Sequence, residues 1–89
     1  MGYRYRDEIV ATILDSATKE GEGIRMTKVM YTSYLSYTQV IYYLRYLSDN
    51  GLLEYDELNK SYKTTDKGFH FLELHNKMNL LLNIQRIDN

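Results

Sequence analysis

The spacing of apolar residues changes at Gly51 in this 89-residue chain, and that change limits the folds that are available. Before Gly51 the apolar residues recur at helical intervals, which predicts amphipathic helices. After it, the stretch LLEYDELNKSYKTT predicts two short strands, at about 52–56 and 61–64. The polar residues 57–60 between the strands predict a turn. The chain therefore combines several helices with one small hairpin.

Three helices are predicted ahead of the hairpin. The first runs from about Asp7 to Lys19 and stops at Gly21-Glu22-Gly23, because two glycines make continuation of a helix costly. Its inward stripe consists of Ile9, Val10, Ile13, Leu14 and Ala17.

The second and third helices lie close together in the sequence. Thr27 can cap a short second helix, and Ser36 can cap a third that runs to about Asp49. Gly51 follows, where a left-handed helix terminus is expected. Two short helices joined by a tight turn predict a helix-turn-helix. The inward residues of this part are Val29, Met30 and Leu35.

A last helix is predicted from Thr65 to about Ile87. The order helix, helix, helix, hairpin, helix is that of a winged helix-turn-helix domain with a C-terminal extension. We therefore predict an α+β, mostly helical fold, with three helices and a two-stranded wing followed by a long helix. Residues 1–67 would form this winged helix-turn-helix domain and residues 68–89 a C-terminal helix, within one continuous fold unit.

The last helix carries more apolar surface than one domain needs. Four of its residues repeat at alternating steps of three and four, which is typical of a coiled-coil seam. Such a surface left open on a monomer would be an exposed apolar patch, so a symmetric homodimer is expected. The alternative is a monomer that folds this helix back. The predicted seam consists of Phe71, Leu74, Met78 and Leu81, and Leu82 widens it.

Composition excludes several classes of protein. There is no apolar run long enough to cross a bilayer and no apolar core of a secretory signal at the N-terminus. The absence of cysteine excludes disulfides and thiolate metal sites, which fits an intracellular protein. We expect a cytoplasmic protein without a membrane partner, a cofactor or an evident small-molecule ligand.

Charge is distributed unevenly, although the net charge is only −1. Residues 24–48 contain Arg25, Lys28 and Arg45 and no acid, whereas acids predominate in residues 7–23 and 49–58. A partner responds to the local field more than to the net charge. The acid-free window also contains most of the tyrosines, so the two features coincide.

Tyrosines of the third helix divide between two faces when residues are placed at about 100° intervals around Val40. Leu44 and Leu47 complete the buried stripe, and Tyr37 and Tyr43 fall at its margins, where we expect them to seal the core. The residues expected to point outward are Thr38, Gln39, Tyr42, Arg45 and Tyr46.

This outward set suits duplex DNA. Glutamine can pair with adenine, threonine can meet a thymine methyl group, and arginine can read guanine or neutralise phosphate. A helix that enters the major groove by its N-terminus brings Tyr37, Thr38 and Gln39 closest to the bases. Aromatic residues at helical spacing are nevertheless more often part of a core or a protein interface. A winged helix used for protein contact therefore stays open as the alternative.

Other chemistry has little support. His70 and His75 lie about 140° apart around a helix and cannot easily share a zinc ion. No phosphate-binding loop and no constellation of nucleophile and base is evident, so we do not expect an enzyme or a metal site.

Two parts of the chain carry a family resemblance: the run Thr27-Lys28-Val29-Met30-Tyr31, Leu35-Ser36-Tyr37, Tyr43-Leu44 and Leu47, and the run from Tyr62 to Gly68 with Phe71-Leu72. In these residues the chain resembles the small archaeal winged-helix DNA-binding proteins. Members of that family are transcriptional regulators or chromatin-associated proteins, and many dimerise through the C-terminal helix as an antiparallel coiled coil. The resemblance implies that the third helix enters the major groove and that the wing touches the backbone or minor groove.

The resemblance also implies which residues bind DNA. They would be Tyr37, Thr38, Gln39, Tyr42 and Arg45, with Lys60 and Lys63 on the wing, and the positive window adds Lys28 and Tyr46. The chain departs from the chromatin-like members in its acidic balance and its single basic residue in the third helix. A homodimeric regulator that binds chosen sites on double-stranded DNA is therefore expected, rather than a protein that coats DNA.

Overall fold

The computed structural model describes residues 5–88, and the side chains of residues 5–82. Helices α1 (Arg6–Thr18), α2 (Met26–Ser33) and α3 (Tyr37–Asp49) precede strands β1 (Leu53–Asp56) and β2 (Ser61–Thr64), and helix α4 (Asp66–Asp88) follows. Four helices and a two-stranded antiparallel sheet confirm the predicted fold class, mostly helical with one hairpin. No helix in the described part of the chain is both long enough and apolar enough to cross a membrane.

Local signals explain both ends of α3. Ser36 Oγ accepts a hydrogen bond from Gln39 N (3.3 Å), as predicted for the cap of α3. The predicted cap of α2 is wrong: that helix begins at Met26, and its N-cap is Arg25, which makes no side-chain capping bond. Thr27 therefore lies inside the first turn. Gly51, with φ of 74°, adopts the left-handed conformation expected after α3.

The hairpin is tied to the helices at its base. Leu53 pairs with Thr64 and Tyr55 with Tyr62, and we call residues 53–64 the wing. The backbone of Ile24, between α1 and α2, exchanges two hydrogen bonds of 2.8 Å with Tyr62. This bridge fixes the wing beside the helix-turn-helix.

One core lies among α1, α2, α3 and the base of the wing. The predicted stripes are buried, and Leu35 and Tyr43 are buried with them. Helix α4 closes this core with Leu72, and its Phe71 is partly buried against it. The largest fully buried apolar side chains are Ile13, Leu14, Ile24, Val29, Val40 and Leu47.

Gly68 allows α4 to approach the wing closely. A Cβ atom at this position would lie 2.5 Å from the carbonyl oxygen of Leu52 and 2.6 Å from Cγ2 of Thr64. The backbone there is held by Thr65, whose Oγ1 accepts from Gly68 N (3.1 Å) and donates to Gly51 O (2.6 Å). The start of α4 is therefore fixed against the end of α3 and the wing.

Candidate nucleic-acid interface

Helix α3 presents a continuous exposed face. Val40, Leu44 and Leu47 anchor the opposite side of the helix in the core, so that this face points to solvent. The prediction that Thr38, Gln39, Tyr42 and Arg45 point outward agrees with their exposure. We call this surface the α3 face, and its residues are Tyr37, Thr38, Gln39, Ile41, Tyr42 and Arg45.

Two tyrosines of α3 differ from the prediction. Tyr37 is 58% exposed and does not seal the core, because it stands at the first position of the helix, beyond the packed layers. Tyr46 is partly buried against the core and does not point freely outward. It lines a shallow recess with Val10 of α1 and Phe71 of α4. Tyr42 and Tyr46 were both expected to point outward, and only Tyr42 does so.

Arg6 joins the N-terminus of α1 to these tyrosines. Its Nη2 donates a hydrogen bond of 2.7 Å to Tyr42 Oη. Its guanidinium carbon lies 4.9 Å from the ring centre of Tyr46 and 5.6 Å from that of Tyr42. The two rings stack at 6.0 Å with an angle of 11° between their planes. A cation–π arrangement of this kind holds the aromatic rings in a fixed orientation.

Arg6 therefore adds a cation to one edge of the α3 face, and sequence reasoning missed it. The arginine is 36 residues away from Tyr42 along the chain, and no helical spacing connects them. The Tyr42 hydroxyl accepts from Arg6, so its own proton remains available to donate to another acceptor. A phosphate oxygen placed there would meet both a hydroxyl donor and a positive charge.

Gln39 has a structural role in addition to its predicted one. Its Oε1 accepts a hydrogen bond of 2.9 Å from Ser36 N, which completes a capping box with the Ser36 hydroxyl. The carbonyl oxygen of the side chain is thereby occupied, and only the Nε2 group remains free to face a base. The Ser-x-x-Gln spacing is a sequence signal for this arrangement.

Lys28, on α2, is exposed, but it forms an ion pair with Glu20. The distance from Lys28 Nζ to Glu20 Oε2 is 2.9 Å. An exposed pair of this kind contributes little to stability and exchanges readily with other anions. Arg25, at the start of the same helix, is also exposed. Lys28 is thus placed near the helix-turn-helix with part of its charge compensated.

The wing carries charges of both signs. Lys60 is exposed in the turn and has a positive φ of 52°. Lys63 lies 3.6 Å from Asp56, whose pKa is lowered by hydrogen bonds, first from the Asn59 side chain and then from the Asn59 backbone. Asp56 therefore stays ionised. With Glu54 and Glu57 nearby, the wing has three carboxylates against two lysines.

A cleft separates α3 from the wing. It places the exposed Arg45 beside the paired rings of Tyr55 and Tyr62, whose centres are 4.9 Å apart. Burial, and then the neighbouring Tyr55, raise the pKa of Tyr62. Ile41 also lines the cleft and is exposed on the α3 face, which the predicted set of outward residues did not include.

The described side chains do not form a metal-binding cluster. Among the described side chains of residues 5–82, no group of three or more histidine, aspartate or glutamate residues could hold a metal ion. His70 lies 3.8 Å from Glu73, and His75 is stacked on Phe71 with its Nε2 4.0 Å from Asp7 Oδ2. The two histidines therefore have different neighbours: Glu73 for His70, and Phe71 and Asp7 for His75.

The predicted dimerisation residues fall into two groups. Phe71 packs partly against the core of its own chain. Leu74, Met78, Leu81 and Leu82 are each more than half exposed, and so is Leu80. The distal part of α4 therefore has an apolar surface that nothing in the described chain covers.

Comparison with known proteins agrees with this architecture. The model of the winged helix-turn-helix family matches residues 3–83, which is most of the chain. No curated protein matches the sequence. Domains of this family are typically DNA-binding and not enzymatic. The extent of the match, together with the observed order of helices and strands, shows that the chain belongs to the winged helix-turn-helix family.

Proposed function

We propose that the protein is a transcriptional regulator that binds chosen sites on double-stranded DNA, with α3 in the major groove. The observation that carries this proposal is the α3 face. It is exposed and mostly polar, Arg45 lies on it and Arg6 at its edge, and no acid occurs between residues 24 and 48. A helix-turn-helix with such a surface has the shape and charge that the groove requires.

Side chains on the α3 face would have separate roles in the groove. Thr38, in the first turn, reaches the base edges first and can contact a thymine methyl group. Gln39 would face a base through Nε2, since its Oε1 caps the helix. Arg45, about two helical turns after Thr38 and in the cleft beside the wing, would bind guanine or a phosphate. Tyr42, supported by Arg6, would donate to a phosphate oxygen.

The wing would lie on the DNA backbone or in the minor groove through Lys60. Lys63 would contribute after exchanging Asp56 for a phosphate, which an exposed ion pair permits. Because three carboxylates share the wing, we expect it to orient the domain more than to add affinity. Lys28 would likewise bind phosphate in exchange for Glu20.

We further propose a homodimer through α4, arranged as an antiparallel coiled coil. The distal turns of α4 expose Leu74, Met78, Leu81 and Leu82, and burial of such side chains is the main source of association energy. A dyad would present two α3 faces to two half-sites and raise the apparent affinity. Residues 1–67 would then serve DNA binding and residues 68–89 dimerisation, in a protein associated with the cytoplasmic nucleoid.

A second candidate function is protein contact without DNA. The observation that favours it is the number of exposed tyrosines near the turn of the helix-turn-helix, since tyrosine is enriched at protein interfaces. The absence of acid around them favours DNA over this alternative.

The two candidates are separated by a substitution on the α3 face. Arg45→Ala should weaken binding to duplex DNA about tenfold or more and should reduce the slope of log K against log salt by about one. Circular dichroism should be unchanged, because Arg45 points away from the core. Fluorescence anisotropy with labelled genomic fragments measures both quantities. Lys19→Ala is the control, because that exposed lysine is paired with Asp15 on α1.

Equal affinity of the Arg45 and Lys19 variants would contradict the placement of α3 in the groove. Capture of a protein partner by both the unchanged chain and Arg45→Ala, without any DNA binding, would favour the second candidate.

A further inference from the structure

Three tyrosines around the turn between α2 and α3 have no role in the packing of the domain. Tyr31 is 79% exposed, Tyr34 is 87% exposed and Tyr37 is 58% exposed. Within the described residues, no hydrogen bond or ring contact of their side chains occurs. The other tyrosines on α3 and the wing do have neighbours: Tyr43 in the core, Tyr42 and Tyr46 under Arg6, and Tyr55 against Tyr62.

The backbone at Tyr34 makes its presence costly for the fold. This residue ends α2 with φ 55° and ψ 46°, a left-handed conformation that favours glycine or asparagine. Its N–H donates to Met30 O, so the conformation is set by the helix end. A tyrosine that is strained and almost fully exposed contributes little to folding. Such an outlier points to a use outside the domain.

The location of the three residues favours a phosphate as their partner. They flank the turn that leads into α3, and Tyr37 is the first residue of that helix. No acid lies within residues 24–48 to repel an anion. Tyrosine hydroxyls commonly donate to the phosphate oxygens of duplex DNA. The three tyrosines therefore lie next to or on the α3 face, in the same acid-free part of the chain.

We propose that Tyr31, Tyr34 and Tyr37 bind the phosphate backbone of duplex DNA through their hydroxyl groups, at the edge of the groove that α3 enters. This inference rests on the proposed DNA binding and adds contacts to it: Tyr31 and Tyr34 lie outside the α3 face, and Tyr37 is the first residue of that face. These contacts are uncharged, and they compensate for the small number of cations in the third helix.

Uncharged and charged contacts differ in how the affinity for DNA depends on salt concentration. A cation that neutralises a phosphate releases counterions and steepens the dependence of affinity on salt, whereas a hydroxyl donor does not. Loss of the tyrosine hydroxyls should therefore lower the affinity by a similar factor at every salt concentration. Loss of Arg45 should instead change the slope.

The test compares the unchanged protein with a variant that carries Tyr31→Phe, Tyr34→Phe and Tyr37→Phe together. Only three exposed hydroxyls are removed, so the fold should be unaffected. We expect about tenfold or greater weakening of DNA binding, from the usual strength of hydrogen bonds to charged groups, with an unchanged salt slope. Ser16→Ala is the control, since it removes a hydroxyl from α1, outside the α3 face and the wing, and should bind as the unchanged protein does.

Wild-type affinity in the triple variant would overturn the tyrosine proposal and leave the proposed function standing. Absence of DNA binding by the unchanged protein would overturn both. Unchanged DNA binding together with loss of association between protein molecules would assign the tyrosines to a protein interface and would also overturn the proposal.

Tyr34→Asn gives a second, independent test, because asparagine tolerates the left-handed conformation. This variant should melt at the same temperature as the unchanged protein or up to about 4 °C higher, and should still bind DNA more weakly. A lower melting temperature would show that Tyr34 supports the fold, and would contradict its assignment to DNA.

Discussion

Gly68→Ala should destabilise the domain, although alanine is the better helix former. Helix propensity alone favours alanine over glycine by about 1 kcal/mol inside a helix. The new Cβ, however, would lie 2.5 Å from Leu52 O and 2.6 Å from Thr64 Cγ2. Favourable separations between carbon atoms are about 3.5–4.0 Å, so α4 or the wing must move by about 1 Å. Because one neighbour is backbone, no change of side-chain rotamer relieves the contact.

Overpacking of this kind typically costs about 1–3 kcal/mol. After a gain of up to about 1 kcal/mol in helix propensity, we expect the free energy of unfolding to fall by up to about 2 kcal/mol. In a domain of this size a fall of about 2 kcal/mol corresponds to a melting temperature lower by roughly 8–16 °C. The shift is large enough to measure by calorimetry or by circular dichroism in urea, at one fixed protein concentration.

Gly21→Ala is the matched control. A Cβ atom at Gly21 would meet nothing within 4 Å, and the backbone is not left-handed there. The substitution should leave stability unchanged or raise it by up to about 1 kcal/mol, because it restricts the unfolded chain. If Gly68→Ala were as stable as Gly21→Ala, the close approach of α4 to Leu52 would be wrong. The orientation of the proposed dimer helix would then be wrong too.

Two further predictions concern the assembly and the α3 face. Met78→Glu with Leu81→Glu should halve the mass of the protein measured by light scattering. Leu80→Glu is the control and should disturb the dimer less, because Leu80 lies about 200° from Met78 around α4. Equal masses for the double variant and for Leu80→Glu would contradict the proposed seam. Arg6→Ala should weaken DNA binding and reduce the salt slope by about one, while Tyr42→Phe should keep the slope. An unchanged slope in Arg6→Ala would mean that this arginine only orients Tyr42.

The sequence was sufficient to predict those features of the fold that depend on residues close together in the chain. Ser36, the inward stripe of α3 and Gly51 each act within a few residues, so spacing and residue type were sufficient to place them. The start of α2 was missed by two residues, because the N-cap is Arg25, which has no capping side-chain bond, in place of Thr27. Helix ends depend on backbone geometry as well as on the best capping residue in the vicinity.

The candidate site was predictable only where the third helix alone decides it. Angles around the helix placed Thr38, Tyr42 and Arg45 correctly on the exposed side. They could not place Tyr46, whose burial depends on α1 and α4, or Tyr37, which lies beyond the packed layers. The Arg6 contact joins residues that only the tertiary fold brings together. The Ser36-x-x-Gln39 spacing indicates the capping role of Gln39, but the sequence prediction assigned Gln39 to DNA contact alone.

The salt dependence of DNA binding by the unchanged protein tests the central claim most directly. Anisotropy titrations of a labelled genomic duplex from low to high salt should give an association constant whose logarithm falls linearly with the logarithm of salt concentration. Its slope should be shallow for a DNA-binding protein, since few unpaired cations lie on the α3 face. No salt-sensitive binding at low ionic strength would contradict the assignment of that face to DNA.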